Sequence, residues 1–246
     1  MRRFAITPEQ IVDGRVTFDG LETRHLARVL RLGAGDTVVA TDGVGHDYTV
    51  RLDAVRPRAT GVVIGVADAT GESPLAITLV QGLPKADKLE TIVRAATELG
   101  VARIVPALAA RTVVRLGGRQ AGARLARWQR VAREAAKQCG RPVVPEVVPP
   151  RELETCLDEA STADLALCVW EGETRPLGAT LAEVKPPRRV ALLVGPEGGL
   201  ERREVDAARA RGWHVAALGA RILKTETAGP ALIAILQSRW GDLGTV

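Results

Sequence analysis

The sequence has few aromatic residues, no paired cysteines and no long apolar run. Phe, Tyr and Trp together make up 3% of its 246 residues. Cys139, Cys156 and Cys168 are odd in number and widely spaced, so they match neither a disulfide framework nor a metal site. The chain lacks the roughly 18 consecutive apolar residues of a membrane span and the apolar N-terminal segment of a signal peptide. We therefore expect a protein of the reducing cytoplasm without a metal site.

Two common nucleotide-binding motifs are also missing. No Gly-Lys-Ser/Thr follows a glycine-rich loop at the spacing of a P-loop, and no Gly-x-Gly-x-x-Gly follows a predicted strand. The first absence argues against a phosphate-cradling P-loop. The second argues against an oxidoreductase that uses NAD(P).

Positive charge is present, and it is concentrated near the N-terminus. The formal net charge is +5 at pH 7. The first 31 residues contain six arginines, at positions 2, 3, 15, 24, 28 and 31. Such a surface is compatible with a nucleic-acid partner, because Lys and Arg neutralise phosphates and release counterions. An ordinary solvated face would have the same composition.

The spacing of apolar segments predicts two domains. In residues 1–70 they are short, at 3–6, 16–18, 37–41, 48–52 and 60–66, with one helical stretch at 22–30; this pattern is typical of a small β-barrel. Residues 68–74 have linker composition. In residues 74–246, strands at 75–80, 101–108, 143–148, 165–169, 190–194 and 214–218 alternate with helices that include 88–99, 119–139 and 227–239. This alternation predicts an α/β domain with a mostly parallel sheet covered on both faces.

Two glycine-containing turns near the C-terminus are the most informative features. The first, at 192–200, reads LLVGPEGGL, and the second, at 218–228, reads LGARILKTETA. Each is an apolar strand that stops at glycine and leads into a helix. Two such turns can lie side by side at the carboxyl edge of a parallel sheet, where α/β proteins bind small ligands. Glycine lets a ligand lie directly on the backbone, so the pattern fits a nucleoside-like cofactor held by main-chain groups.

Each turn also has a reading without a ligand. The first could be a tight strand-to-helix connection. In the second, Glu226 could pair with Arg221 or Lys224 as a surface salt bridge, or the three charges could face a substrate beside the first turn. Thr225 or Thr227 could cap the last helix.

The two turns, in this order and about 25 residues apart, resemble those of the SPOUT methyltransferases. Over nearly its whole length the chain resembles the bacterial 16S ribosomal RNA (uracil-N3)-methyltransferase family. Further segments that carry this resemblance are MRRF at 1–4, HLARVLRL at 25–32, KADKLE at 85–90, ELGV at 98–101, QCGR at 138–141 and GDLG at 241–244.

The resemblance implies an N-terminal PUA-like barrel that binds RNA and a C-terminal α/β domain with a trefoil knot. It also implies a homodimer with cofactor sites near the subunit interface, ribosomal RNA of the small subunit as partner, and S-adenosylmethionine as cofactor. The residues expected to hold the cofactor are Leu193, Gly195, Glu197, Gly199, Leu218, Gly219, Ile222, Leu223 and Thr227. The residues expected to contact RNA are Arg2, Arg3, His25, Arg28, Arg31, Lys85, Arg111 and Arg141.

The catalytic residues that the resemblance suggests are Arg221 and Glu226. Arg221 would contact a uracil carbonyl and stabilise the developing anion. Glu226 would accept the N3 proton or orient Arg221, and the sequence leaves this choice open. Methylation of another RNA, or a non-catalytic role in RNA binding or ribosome assembly, also stays open.

The chain departs from the family pattern at four places. Lys224 stands where the family usually has arginine, and Glu201 stands where Ser or Thr is common. Ala109-Ala110 lacks the acidic residue often found before Arg111, and Gly229-Pro230 interrupts the last helix. Because proline is tolerated only in the first turn of a helix, we expect this helix to begin near Thr227.

Overall fold

The computed structural model describes residues 3–114 and 118–244, which divide into two compact units. The first unit groups the residues up to Glu72 with Ala136–Val144, and the second contains Ser73–Ala135 and the residues from Pro145 onward. The stretch Ala136–Val144 thus packs with the first unit, although the boundary expected from the sequence assigns it to the second domain.

The first unit is built on one six-stranded sheet. Its strands are β1 (Arg3–Ala5), β2 (Ile11–Val12), β3 (Arg15–Thr17), β4 (Thr37–Thr41), β5 (His46–Ala54) and β6 (Thr60–Asp68). The order in the sheet is β1-β4-β5-β6-β3-β2, with β1 parallel to β4 and the other pairs antiparallel. Phe4, Val50 and Leu52 of the strands bury an apolar core together with Phe18 and Leu26, which lie outside the strands.

The predicted helix at 22–30 is present, but it is not one regular α-helix. Helix α1 (Gly20–Arg24) begins after Asp19, whose side chain accepts a hydrogen bond from the Glu22 N–H at 2.7 Å. A π-helical turn at His25–Val29 continues it. Arg31, with φ of 53°, ends this segment in the left-handed region.

Asp42 is a buried carboxylate that organises the hairpin between β4 and β5. It accepts hydrogen bonds from the Val44 N–H (2.9 Å), the His46 N–H (3.0 Å) and the Tyr48 hydroxyl (3.3 Å), and His46 Nδ1 lies 2.9 Å away. Burial raises the pKa of Asp42, but the hydrogen bonds from His46 and Val44 outweigh it, so the pKa lies below its ordinary value. The carboxylate therefore stabilises the folded state in its ionised form.

Replacing Asp42 by Ala should lower the free energy of unfolding by about 1–3 kcal/mol, because the N–H groups of Val44 and His46 lose a charged acceptor. The stabilisation of the folded state by the ionised Asp42 carboxylate is present above the unfolded-state pKa of about 3.9. It is lost as the pH falls through the lower folded-state pKa. Urea unfolding between about pH 3 and pH 7 measures it. An Asp42→Ala variant that loses stability toward acid as steeply as the parent would contradict this role.

The second unit is an α/β layer structure. Its strands are β7 (Ala76–Gly82), β8 (Val101–Leu108), β9 (Glu146–Val147), β10 (Arg151–Glu152), β11 (Leu165–Val169), β12 (Arg189–Val194) and β13 (His214–Ala216). Its helices are α2 (Lys88–Glu98), α3 (Gly118–Cys139), α4 (Leu153–Ala160), α5 (Leu177–Ala182), α6 (Arg202–Ala210) and α7 (Thr225–Trp240). The last residues of α3 belong to the first unit.

All pairings in this sheet are parallel, which confirms the prediction. The order is β10-β8-β7-β12-β11-β13, and β9 also pairs with β8. The central strands are apolar because both of their faces are covered; Leu192 and Leu193 of β12 are fully buried. The predicted strand at 143–148 shortens to Glu146–Val147, since it has one partner strand, β8.

The start of the last helix differs from the prediction. Helix α7 begins at Thr225, so Pro230 lies inside it rather than in its first turn. Proline has no N–H to donate to the carbonyl of Glu226, four residues earlier. Lys224 occupies the N-cap position without a side-chain cap, so neither Thr225 nor Thr227 caps the helix.

Candidate functional site

The chain crosses the carboxyl edge of the parallel sheet between β13 and α7. Strand β13 lies beside β11, whereas α7 starts beside β7 and β12. The Thr225 hydroxyl donates a hydrogen bond of 2.7 Å to the Gly195 carbonyl and so joins the start of α7 to the end of β12. The crossing segment 217–224 and the turn 195–199 therefore line the same cavity.

A buried polar network fixes this junction. Gln81, which is fully buried at the end of β7, donates from Nε2 to the Thr225 hydroxyl at 2.9 Å and to the Gly195 carbonyl at 3.4 Å. A Cβ on Gly229 would lie 3.3 Å from Gln81 Oε1, so glycine at this position leaves room for the amide. Sequence reasoning missed Gln81; a polar residue in an otherwise apolar strand was the available signal.

The first turn also lies very close to the end of β7. A Cβ on Gly82 would lie 2.5 Å from both the nitrogen and Cδ of Pro196 and 2.8 Å from the Gly195 carbonyl carbon. Such distances leave no space for a side chain. The absence of a side chain at Gly82 thus determines where the first turn lies, which the sequence analysis did not recognise.

The two turns enclose a cavity of about 500 Å³, within the range of small-molecule sites. Of the nine residues expected to bind the cofactor, seven line it: Gly195, Glu197, Gly199, Leu218, Gly219, Ile222 and Leu223. The other two do not line it. Leu193 is buried inside β12, and Thr227 is exposed on α7.

Glu197, in the first turn, is held by groups that follow β7. The Lys85 N–H donates to its two carboxylate oxygens at 3.1 and 3.3 Å, and Lys88 Nζ lies 3.1 Å from Oε1. Burial raises the pKa of Glu197, but its own backbone N–H, Lys88 and Lys85 outweigh burial, so the pKa falls below its ordinary value. Hydrogen bonding to Glu197 raises the pKa of Lys88. Both groups are therefore charged at neutral pH.

Glu226 also faces Lys88, which corrects the partner considered from the sequence. Its Oε2 lies 3.5 Å from Lys88 Nζ, and its ion pair is with Lys88 rather than with Arg221 or Lys224. The same oxygen is buried and makes no hydrogen bond with any described residue. Burying a carboxylate oxygen without a hydrogen-bond donor costs free energy, unless a ligand supplies the donor.

Arg221 is exposed and lines the cavity. Among the described residues no ion pair is found for it. Arg111 instead contacts the first turn, because its Nη1 donates to the Gly198 carbonyl at 2.8 Å. Arg221 thus lines the cavity, whereas Arg111 contacts the first turn without lining it.

A second carboxylate beside the first turn is Glu171, which follows β11. A Cβ on Gly199 would lie 2.2 Å from Glu171 Oε1, and Gly199 has φ of +71°. Glu171 lines the cavity. The left-handed backbone and the adjacent carboxylate explain why this position needs glycine.

A second, more apolar cavity of about 760 Å³ lies along α5 and α7. Leu177, Leu181 and Ile235 line it, and Arg221 contributes to both cavities. Ile235 is 40% exposed although it is a large apolar side chain. This face therefore presents apolar surface next to the cofactor-sized cavity.

The residues expected to contact RNA differ in their exposure and in the residues they contact. Arg28 and Arg31 are exposed, whereas Arg3 pairs with Asp47 at 2.8 Å. The His25 ring packs edge-on against Phe4, with centroids 5.6 Å apart.

Three further candidates for RNA contact remain. The Arg141 side chain is 8% exposed and forms an ion pair with Glu72 at 2.6 Å, which leaves it little access to a phosphate. Lys85 is exposed. Arg2 lies outside the described residues.

The buried cysteines are unsuited to nucleophilic chemistry. Burial raises the pKa of Cys156 to about 11 and that of Cys168 to about 12, so neither supplies a thiolate at neutral pH. Within residues 3–114 and 118–244, no cluster of His, Cys, Asp and Glu could hold a metal ion. No helix in the same ranges is long and apolar enough to cross a bilayer.

Comparison with known proteins gives matches over both units. The family model described as RNA methyltransferase domain matches residues 71–237, and that described as RNA methyltransferase PUA domain matches residues 18–59. The chain is 35% identical to a ribosomal RNA small subunit methyltransferase E of Synechocystis, over 94% of this chain and 76% of the relative. It is 32% identical to the protein of the same name from Bacillus subtilis, over 92% of both.

Solved structures are similar over almost the full length. A ribosomal RNA small subunit methyltransferase E from Neisseria gonorrhoeae, bound to S-adenosyl methionine, has a TM-score of 0.86, 34% identity and 99% coverage of both chains. A putative methyltransferase from Legionella pneumophila, in complex with the same cofactor, has a TM-score of 0.86, 28% identity and 98% coverage of both. The predicted fold class, a PUA-like domain before a SPOUT-type α/β domain, is confirmed.

Proposed function

Because this chain belongs to the RNA methyltransferase family, together with the ribosomal RNA small subunit methyltransferases E, we propose that it methylates N3 of a uridine in 16S ribosomal RNA. The methyl donor is S-adenosylmethionine. The observation that carries the proposal is the cavity between the two glycine turns, which contains both Arg221 and Glu226.

The cavity fits S-adenosylmethionine in size, backbone access and charge. A Cβ on Gly219, where φ is +79°, would meet no atom within 4 Å, so this backbone faces open space in which a ligand can lie. Four carboxylates, of Glu171, Glu173, Glu197 and Glu226, line the cavity together with the cations of Lys88, Arg221 and Lys224. The surplus of one negative charge suits a cationic donor. The seven lining residues expected from the sequence would hold it.

When bound, S-adenosylmethionine supplies an electrophilic methyl group, whose bond to sulfur breaks with both electrons going to sulfur as the bond to N3 forms. The glycine turns orient the donor so that N3 can approach in line with the sulfur–carbon bond. N3–H lies on the Watson–Crick edge, so the cavity must admit an unpaired or flipped base.

The protein must also remove the N3 proton, because neutral uracil N3 is a poor nucleophile. The carboxylate of Glu226 is the proposed acceptor, since Glu226 lines the cavity and its Oε2 makes no hydrogen bond with any described residue. Arg221 stabilises the negative charge that develops on the uracil carbonyl oxygens. Once the methyl group is on N3, the base is neutral and the proton leaves from Glu226 to solvent.

Arg28 and Arg31, two exposed arginines of the first unit, form the proposed RNA-binding surface. Replacing Arg28 and Arg31 by Gln should weaken RNA binding and reduce the slope of log affinity against log salt by about 0.7 per lost single-strand phosphate contact. A filter-binding salt titration measures both quantities. The control is Arg51→Gln with Arg58→Gln, which removes the same charge from exposed positions of the same unit. Equal losses in the two double variants would refute this surface.

We also propose that the protein forms a homodimer and is located in the cytoplasm. The apolar cavity along α5 and α7 borders Arg221, so a second copy on this face would bring its surface beside the cofactor cavity. Analytical ultracentrifugation tests the dimer, and a purely monomeric protein at micromolar concentration would contradict it. A cytoplasmic location follows from a ribosomal RNA substrate.

A methyl-transfer assay tests the reaction. Small subunits and their naked RNA, from cells that lack the gene, are incubated with the protein and labelled donor. We expect label in 3-methyluridine of 16S RNA, identified by mass spectrometry of nucleosides. Label in another nucleoside, or in another RNA, would point to a different methyltransferase. Donor binding without label in any RNA would point to a non-catalytic role.

A further inference from the structure

Lys88 connects the three segments that meet at the cavity. It is the first residue of α2, and its Nζ lies 3.1 Å from Glu197 Oε1 in the first turn and 3.5 Å from Glu226 Oε2 in α7. One ammonium group therefore faces two carboxylates that are 29 residues apart in the sequence. In the described structure Lys88 is the cation paired with Glu226.

The two carboxylates differ in how much of their acceptor capacity is used. The Lys85 N–H donates to both carboxylate oxygens of Glu197, so each of these oxygens has a hydrogen-bond donor. Glu226 Oε2 is buried and accepts no hydrogen bond from a described residue. Lys88 thus supplies Glu226 with a nearby positive charge while leaving its oxygen free to accept a proton.

We propose that Lys88 is a positioning residue, which holds the Glu226 carboxylate in the cavity at a place where it can accept the proton of N3. This inference rests on the proposed function and assigns Glu226 the role of proton acceptor rather than that of orienting Arg221. It also gives Glu197 a second role, because its ion pair anchors the ammonium group that faces Glu226.

The other charges around Glu226 do not replace Lys88. The charged groups that line the same cavity are Glu171, Glu173, Glu197, Arg221 and Lys224. Glu173 is paired with Arg209 at 2.7 Å. Arg221 and Lys224 line the cavity, but neither forms an ion pair with Glu226 among the described residues, so loss of Lys88 removes the cation with which Glu226 is paired.

Replacing Lys88 by Met should shift the acid limb of the pH profile of kcat to higher pH by about one unit, because the anion loses its opposite charge. At neutral pH kcat should fall by about 10²-fold, the effect of a misplaced group. Lys88→Arg keeps the charge and should retain the acid limb, whereas Lys88→Gln should behave like Lys88→Met. Lys185→Met removes an exposed lysine elsewhere and should leave the profile unchanged.

A measurement without cofactor or RNA separates this inference from the proposed function. In protein labelled at the glutamate carboxyl carbon, an NMR titration follows Glu226 directly, with Glu226→Gln to assign its signal. We expect Glu226 to take up its proton at higher pH in Lys88→Met and Lys88→Gln than in the parent and in Lys88→Arg. Identical titrations in all four proteins, or an unmoved acid limb in active variants, would overturn the inference. A parent protein that methylates no RNA would overturn the proposed function and with it the proton-acceptor role, whereas the titration would still report the ion pair between Lys88 and Glu226.

Discussion

Replacing Arg221 by Ala is expected to lower kcat by about 10²–10³-fold while the affinity for S-adenosylmethionine stays close to that of the parent. The guanidinium lines the cavity and has no ion-pair partner among the described residues, so its charge is available to the substrate. An interaction made only in the transition state lowers kcat when it is removed, without weakening ground-state binding. Single-turnover methylation and calorimetric titration of the donor measure the two quantities separately.

The control for this prediction is Arg188→Ala, which removes an exposed arginine that does not line the cavity. It should leave both quantities unchanged. An Arg221→Ala protein that loses donor affinity as strongly as turnover would assign Arg221 to donor binding. Unchanged turnover would remove it from the mechanism.

Replacing Gly82 by Ala is expected to weaken donor binding by at least about tenfold and to destabilise the protein by about 1–3 kcal/mol. The new Cβ would lie 2.5 Å from backbone and ring atoms of Pro196, so the first turn must move away from β7. The Gly195 carbonyl would then lose its geometry with Thr225 and Gln81. Calorimetry measures the affinity, and thermal unfolding measures the stability.

Gly122→Ala is the matched control for the Gly82 variant. A Cβ at Gly122 meets nothing within 4 Å, and the residue lies inside α3. This change should leave donor affinity unchanged and stabilise the helix by up to about 1 kcal/mol. If Gly82→Ala binds the donor as tightly as Gly122→Ala, the close contact between β7 and the first turn does not shape the site.

The parallel sheet and the pairing of the two glycine turns could be predicted because buried strands read as continuous apolar runs. Strands Val101–Leu108 and Leu165–Val169 have the predicted bounds for this reason. The start of α7 could not be predicted in the same way. Its first residues are held by tertiary hydrogen bonds to Gln81 and Gly195, which outweigh the local preference against an internal Pro230.

The ion pairs of the site could not be predicted from the sequence. Lys88 and Glu226 are far apart in the chain, and only the crossing of segment 217–224 brings them together. A helical lysine at the start of α2 looks like an ordinary surface charge. The environment of Arg141 could not be predicted either. It was expected to contact RNA, but its side chain forms an ion pair with Glu72.

The most direct test of the account is a crystal structure of the protein soaked with S-adenosylmethionine. We expect electron density for the donor between Gly195–Gly199 and Leu218–Leu223, with its methyl group directed toward the space between Arg221 and Glu226. Donor density in the apolar cavity along α5 and α7, or anywhere else with the space between the two turns left vacant, would contradict it.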